Sequence, residues 1–378
     1  MISKYNCTGC GACSSICPVK CIKMGYNDKG FEVPVVDITK CISCNACDKV
    51  CPVVTHPETN RIKNGIAVSS KSEEVYTSSA SGGAFFVIAE AFIREGGVVY
   101  GAAFKNGIVR HIRADNITSL KDIQNSKYVQ SWIDKEIYES IESDLKSGTK
   151  VLFSGTACQA AAVKNYFRNN SMLYIVDLIC HGVPSPLFLG RHLKSLNAKP
   201  GDKVRFRKKN GEGVVSQYCI SIKDGDTDHT IDASQDEYMN MFIHGKSFND
   251  SCYECRYANS DRAGDITIGD APGSCIAGKN EAFTSYTGVL INTEKGEELI
   301  SLLNNSYINP LNIEKYKKTN KRLSSPAKKP DDYEDIYRDI FKAEYEKNDL
   351  KKYMAKSPLK ARIRRFIKKH IRHSKKFR

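Results

Sequence analysis

Cys7-Thr8-Gly9-Cys10-Gly11-Ala12-Cys13-Ser14-Ser15-Ile16-Cys17-Pro18 and Cys41-Ile42-Ser43-Cys44-Asn45-Ala46-Cys47-Asp48-Lys49-Val50-Cys51-Pro52 carry one cysteine spacing twice. Each cysteine returns 34 residues later, which marks an internal duplication. A [4Fe–4S] cube needs four thiolates around its corners. Three at two-residue intervals on a tight loop can wrap one face, and the fourth of each run then points to the other cube. Cys7, Cys10, Cys13 and Cys51 are therefore assigned to one cluster, and Cys41, Cys44, Cys47 and Cys17 to a second. Gly9, Gly11, Ala12, Ser43 and Ala46 let backbone N–H groups approach the sulfurs, and Pro18 and Pro52 turn the chain away. Zinc is the competing reading, but its sites usually pair two CxxC units across a spacer of about a dozen residues. Cys21 is extra and reads as a small core residue. Residues 1–57 are thus a two-cluster ferredoxin domain. Such a relay carries electrons and does no chemistry, so the remaining chain should hold the centre it serves.

The rest of the composition agrees. At 378 residues, more than one core is expected. No apolar run reaches membrane-spanning length, and Met1-Ile2-Ser3-Lys4 meets Cys7 without an export signal. Fifteen cysteines, nine of them before residue 52, point to metal ligation in a cytoplasmic, reducing compartment, not to disulfides. The net charge of +14 is local: residues 350–378 hold thirteen Lys and Arg and no acid, leaving the body close to neutral.

After the polar stretch 56–64 the pattern becomes α/β, so the chain as a whole reads as α+β: a ferredoxin domain, an α/β body and a basic helical tail. A Ser/Gly turn at 78–83 leads into a helix over 84–94, and Val98 to Phe104 reads as a strand. Strands are also expected at 150–153 and 172–179, each followed by a loop and a helix. Short β-like segments follow, as at 204–207 and 218–222. Boundaries are drawn at 58–120 and 121–345 for two parts of the body and 346–378 for the tail. The Ser154–Thr156 turn opens a helix, whose free N–H groups suit an anion or a thiolate, or are merely well capped. Cys158, Cys180, Cys252 and Cys255 lie in separate loops and either assemble a third cluster or are buried free thiols.

Several motifs taken in order resemble the beta subunits of coenzyme F420-reducing hydrogenases and dehydrogenases. They are Ser81-Gly82-Gly83, Gly97 to Gly101, Ser126 to Ser131, Ser154 to Gln159, Asp177 to Ser185, the Cys252–Cys255 pair and Asp265 to Asp270. The likeness runs over roughly residues 1–310. It implies an FAD held in the α/β body beside one further [4Fe–4S] cluster. The flavin site would fall on Ser81, Gly82, Gly83, Ser126, Lys127, Tyr128, Gln130 and Gly155, and the cluster on Cys158, Cys180, Cys252 and Cys255. A flavin accepts a hydride or an electron pair and releases electrons singly, which suits a cluster relay. The function implied is a ferredoxin-linked flavin oxidoreductase, in bacterial relatives often in a polysaccharide-biosynthesis setting. The partner is a redox protein or a small hydride donor or acceptor. Thr156-Ala157 stands where Thr-Pro is common, and the loop after Asp270 lacks a frequent Trp, so the hydride partner stays open.

Two rival functions fit parts of the pattern. Cys158 with His181 could form a nucleophile and base, a mechanism with no use for two ferredoxin runs. An electron-delivery subunit without a substrate site is the other. In the tail, Leu359, Ile363, Phe366, Ile367 and Ile371 form one helical stripe among basic residues. Residues 358–378 therefore read as a helix for an anionic membrane surface or as a solubilising tail, with one aromatic and no companion motif arguing against nucleic acid.

Overall fold

The computed structural model describes residues 6–168, 170–209, 216–279 and 285–355. Its strands, in chain order, are β1 Ile22–Tyr26, β2 Glu32–Val36, β3 Asn64–Ser70, β4 Val98–Lys105, β5 Ile108–Ala114, β6 Val151–Thr156, β7 Leu173–Leu178, β8 Lys203–Lys209, β9 Ser216–Asp224, β10 Thr227–Asp232, β11 Ile266–Ala271, β12 Tyr286–Ile291 and β13 Ser306–Pro310.

The body is built on one eight-stranded sheet of order β13-β3-β12-β11-β7-β6-β4-β5. β4, β6, β7 and β11 pair in parallel. β12 runs against both β11 and β3, so β3 points the same way as the parallel core. Alternation along each strand divides the side chains between two covered faces. Val99, Leu152, Tyr174 and Val176 meet Phe86, Ile88 and Phe92 of the helix Ala84–Arg94 on one face. Val98, Tyr100, Phe153 and Ile175 meet Ala160, Ala161 and Val163 of the helix Ala157–Phe167 on the other. β3 and β4 belong to the same sheet as β6 and β7, so the parts 58–120 and 121–345 share one sheet. A three-stranded sheet, β10-β9-β8, lies over a further core of Phe188, Phe206, Tyr238 and Phe242.

The tail begins later than expected. Leu350 is fully buried, its N–H donates to Glu237, and Ala355 N donates to Asn240 Oδ1 at 2.9 Å, so 346–355 belongs to the body. The helix expected over 358–378 lies outside the described residues. Among the described residues no helix is long and apolar enough to cross a membrane.

The N-terminal domain consists of the β1–β2 hairpin and two short helices, Ala12–Ile16 and Ala46–Val50, one within each cysteine run. Body side chains donate to its carbonyls: Tyr138 Oη to Cys10 O at 2.9 Å, Asn249 Nδ2 to Cys7 O at 3.0 Å, Tyr257 Oη to Pro52 O at 2.7 Å and Ser185 Oγ to Gly30 O at 2.8 Å. Gln130 spans the junction, accepting from Glu32 N and donating to Thr8 O.

The two cysteine loops share a left-handed backbone but differ in residue type. Gly9 and Gly11 have φ of 68° and 72°, and the duplicated positions Ser43 and Asn45 have 52° and 57°. In the first loop a side chain is forbidden by its surroundings as well: a Cβ on Gly11 would stand 2.2 Å from Ile133 O, and one on Gly9 would stand 2.1 Å from Gln130 Nε2. The second loop faces solvent and tolerates Ser and Asn, the latter suited to this conformation. Gly11→Ala is expected to destabilise the iron-loaded protein by about 3 kcal/mol, from strain plus overlap. Asn45→Ala should cost about 1 kcal/mol, from strain alone. Anaerobic urea denaturation of both variants checks the difference.

Candidate functional site

The parallel strands end on one side of the sheet, where loops from β3, β6, β7 and β11 gather, as open α/β sheets arrange their ligand sites. Thr156 closes β6 and forms a reciprocal capping box with Gln159, which sets Cys158 in the first turn of its helix. Cys180 follows β7. Cys252 sits in a short helix capped by Asn249, and Cys255 follows it. These four thiols, from three separate stretches of chain, line one cavity that opens towards solvent.

Burial, joined by the neighbouring thiols, pushes the Cys158 thiol up to about 12. Burial likewise raises Cys180, to about 11, and Cys252 and Cys255 in the same direction. Clustered buried thiols of this kind are costly to ionise unless a cation shares their electrons. Among the described residues no three Cys, His, Asp or Glu stand close enough to clasp a single ion. The four sulfurs surround a cavity instead, a soft donor set suited to a thiolate-ligated iron–sulfur group.

Arg256 and Arg322 line this cavity, and Arg262 lies close enough to act on Cys180 and Cys255 by its charge. Arg262 is 2% exposed; its guanidinium bonds Asp177, Leu178 O, Tyr257 O and Asn259 O, so it ties the end of β7 to the loop after Cys255. Arg322 lines the cavity, and its Nε donates to His181 O at 3.3 Å. The rival pairing of Cys158 with His181 is absent: His181 Nε2 meets Ile243 O at 3.0 Å, while Cys158 Sγ meets Thr156 Oγ1 at 3.2 Å. A protonated thiol bonded to a hydroxyl is a poor nucleophile.

Cys7, Cys10, Cys13 and Cys51 line a second cavity, together with Thr8 and Val53, which also border the first. Tyr257 lies between the two and feels thiols of both, Cys158 and Cys255 on one side and Cys10 and Cys51 on the other. Cys13, Cys17, Cys21 and Cys47 share one small apolar cluster. Cys41 interacts with Cys21, which in turn lies 3.4 Å from Cys17; Cys41 and Cys44 are exposed. Cys21 is buried, as expected, and touches Cys17, a cysteine assigned to the second cluster.

The residues suggested for a flavin fall into separate settings. Gly82 packs so closely that a Cβ would stand 1.9 Å from Val68 O, and Gly83, at φ 89°, begins the helix Ala84–Arg94 with no side-chain cap. Ser81 Oγ meets Thr287 Oγ1 at 2.7 Å. Tyr128 stacks on Phe242 at 4.3 Å, beside Phe206 and Tyr218, and Ser126 bonds towards it. Gly155 is buried in β6, where a Cβ would crowd Phe153 and Gln159. Lys127 and Gln130 are occupied elsewhere. The Lys127 amine donates to the carbonyls of Asp122, Ile123, Gln124 and Asn125 at the end of the helix Ile117–Ile123, and Gln130 holds the domain junction.

Arg207 and Lys209 of β8, unremarkable in the sequence, lie across these loops. Lys209 is 8% exposed; its amine donates to Ser81 O and Tyr76 O and sits 3.3 Å over the Tyr76 ring. Arg207, 7% exposed, pairs with Asp270, covers the Tyr218 ring at 4.5 Å and leaves its Nε without a partner. The available signal was basic residues in alternation on a strand, which ordinarily means a solvated face.

Residues 6–54 match the 4Fe-4S dicluster domain, and residues 148–315 match the C-terminal portion of the beta subunit in the coenzyme F420 hydrogenase/dehydrogenase family. The chain thus joins a segment that matches the 4Fe-4S dicluster domain to one similar to the C-terminal portion of those beta subunits. The two matches support redox electron transfer through iron–sulfur clusters. The matched beta-subunit segment includes all four cavity cysteines, Arg207 and Lys209. A solved structure of the F420-reducing nickel–iron hydrogenase complex from Methanosarcina barkeri is similar over 71% of this chain and 91% of that one, at 16% identity and a TM-score of 0.49. No curated protein matches the chain.

Arg262→Met should destabilise the protein by about 3–5 kcal/mol, because it leaves the fully buried Asp177 carboxylate unpaired. Arg262→Met combined with Asp177→Leu should recover much of that loss in the same anaerobic denaturation measurement.

Proposed function

We propose that this chain is an iron–sulfur flavoprotein oxidoreductase in which three [4Fe–4S] clusters connect a bound FAD to a redox partner. The observation that carries the reading is the meeting of Cys158, Cys180, Cys252 and Cys255 at one cavity that shares Thr8 and Val53 with the cavity of the first ferredoxin run. Such sharing supports a continuous path: Cys17/Cys41/Cys44/Cys47, then Cys7/Cys10/Cys13/Cys51, then the four cysteines of the body. Thr8 borders both of the last two cavities, and Tyr257 lies between them.

Bound FAD would supply the exchange of a hydride or electron pair for single electrons. The residues best suited to hold it are Ser81, Gly82 and Gly83 at the uncapped helix start, Tyr128 with its aromatic neighbours, and Arg207 and Lys209. Two buried cations beside free helix N–H groups suit a diphosphate. The orphaned Arg207 Nε offers a donor that the folded chain alone does not satisfy. Lys127 and Gln130 serve as positioning residues in this reading.

Anaerobic purification should yield about twelve iron per chain with one flavin. Cys158→Ser should remove about four iron while the ferredoxin clusters persist. Full iron retention in that variant would defeat the third cluster. Burial, aided by Arg207, lowers the Lys209 amine to about 7. Its positive charge is therefore present below that pH and lost above it, so FAD affinity should weaken as pH rises through about 7. Lys209→Met should cost at least about tenfold in affinity at pH 6, flatten the dependence and leave iron content unchanged. Fluorescence titration of released and rebound flavin reads the affinity and its pH dependence.

A further inference from the structure

We propose that the face around the second cysteine run is the docking surface for an acidic one-electron carrier protein. The inference needs the dicluster domain alone and stands whether or not a flavin is bound.

The duplication is symmetric in sequence and asymmetric in setting. Residues 7–13 are half-buried or buried against the body, whereas 38–45 are eight consecutive exposed residues that include Cys41 and Cys44. Within that stretch Ile38 is 70% exposed and Ile42 60%, and Val19 adjoins them in the turn after Cys17. The two turns touch, because Asp37 N donates to Cys21 O at 2.8 Å. Of the ten large hydrophobic side chains exposed among the described residues, six lie in this small domain. Apolar side chains rimming an exposed redox centre are what a transient electron-transfer partner needs: short distance, little buried area and easy desolvation.

Charge selects the partner. Lys40 is paired with Asp37, but Lys20, Lys23 and Lys49, all exposed, have no carboxylate partner among the described residues. Asp28 lies at the far tip of the hairpin, beside Gly30, which packs against Leu187 and Phe341 of the body. Asp48 and Asp37 are the acidic residues beside the run, against Lys20, Lys23, Lys40 and Lys49, so the cysteine end carries an excess of positive charge around an apolar centre. A second copy of this chain would set the lysines of this face against the same lysines, and the chain's own basic tail is repelled for the same reason. An acidic carrier is attracted, and steering by such a field acts chiefly on the association rate.

The test uses the full-length, iron-loaded protein under anaerobic conditions, with a reduced acidic plant-type ferredoxin as one donor and reduced methyl viologen as the other. Stopped-flow bleaching of the cluster absorbance gives both rate constants. With ferredoxin, the rate should fall about tenfold or more between about 20 and 300 mM salt. It should fall to a similar degree in Lys20→Glu/Lys23→Glu at low salt. Ile38→Asp/Ile42→Asp should lose ferredoxin reactivity at all salt concentrations. Viologen rates and iron content should stay within about twofold of wild type in both variants. The salt dependence of the unmodified protein stands even if a variant loses iron. A wild-type ferredoxin rate that is absent or indifferent to salt overturns the proposal. So does an Ile38/Ile42 variant that converts a dimer to a monomer in sedimentation, which would make the face a self-association surface.

Discussion

The first cysteine loop can lie flat against the body only because Gly9 and Gly11 carry no side chain. The loop comes within van der Waals contact of Gln130 and the Ile133 carbonyl, and a Cβ at either glycine would overlap them. Once the loop is seated there, Tyr138 and Asn249 reach its carbonyls and Tyr257 reaches that of Pro52, next to Cys51, which holds Cys7, Cys10 and Cys51 beside the body's own cysteines. The second copy of the loop is left outside. One steric constraint thus gives two equivalent sequence runs opposite roles, one turned inward to the body and one turned outward.

Buried charge organises the other half of the arrangement. Arg262 and Asp177 lie beneath the cavity, nearly removed from solvent, with the arginine donors distributed over carbonyls of the strand end and the loop that carries Cys255. A buried pair of this kind contributes little net stability compared with apolar packing, but it penalises any arrangement in which a member is unpaired. It therefore acts on geometry: Cys180 and Cys255 are held at fixed ends of elements that the pair locks together. The raised thiols follow from the same dryness. In the absence of a metal they stay protonated and inert, and ligation is the chemistry that releases their protons.

How far the chain could be read from its letters depended on whether the signal was local. The helix over Ala84–Arg94 appears with the expected bounds, and β4, β6 and β7 overlap the strands expected at 98–104, 150–153 and 172–179. Residues with two possible uses were harder. Lys127 stands in a motif associated with a flavin, yet its amine spans four carbonyls at a helix end. Arg207 and Lys209 look like a solvated strand face until β8 is laid over the loop at Ser81. The boundary at 346 failed for a similar reason: Leu350 is buried by contacts with a helix more than a hundred residues earlier.

The sequence by itself determined the eight-cysteine duplication, the ferredoxin domain it encodes and the strand–loop–helix series of the α/β body. These depend on spacing and period, which are properties of neighbours in the chain. Only the tertiary structure decided that Cys158, Cys180, Cys252 and Cys255 share a cavity, that this cavity adjoins the first run and that the second run is exposed. Those are relations between residues tens to hundreds of positions apart. Side-chain volume, buried charge and the absence of a Cβ at Gly9 and Gly11 settle them, and no local spacing records those quantities.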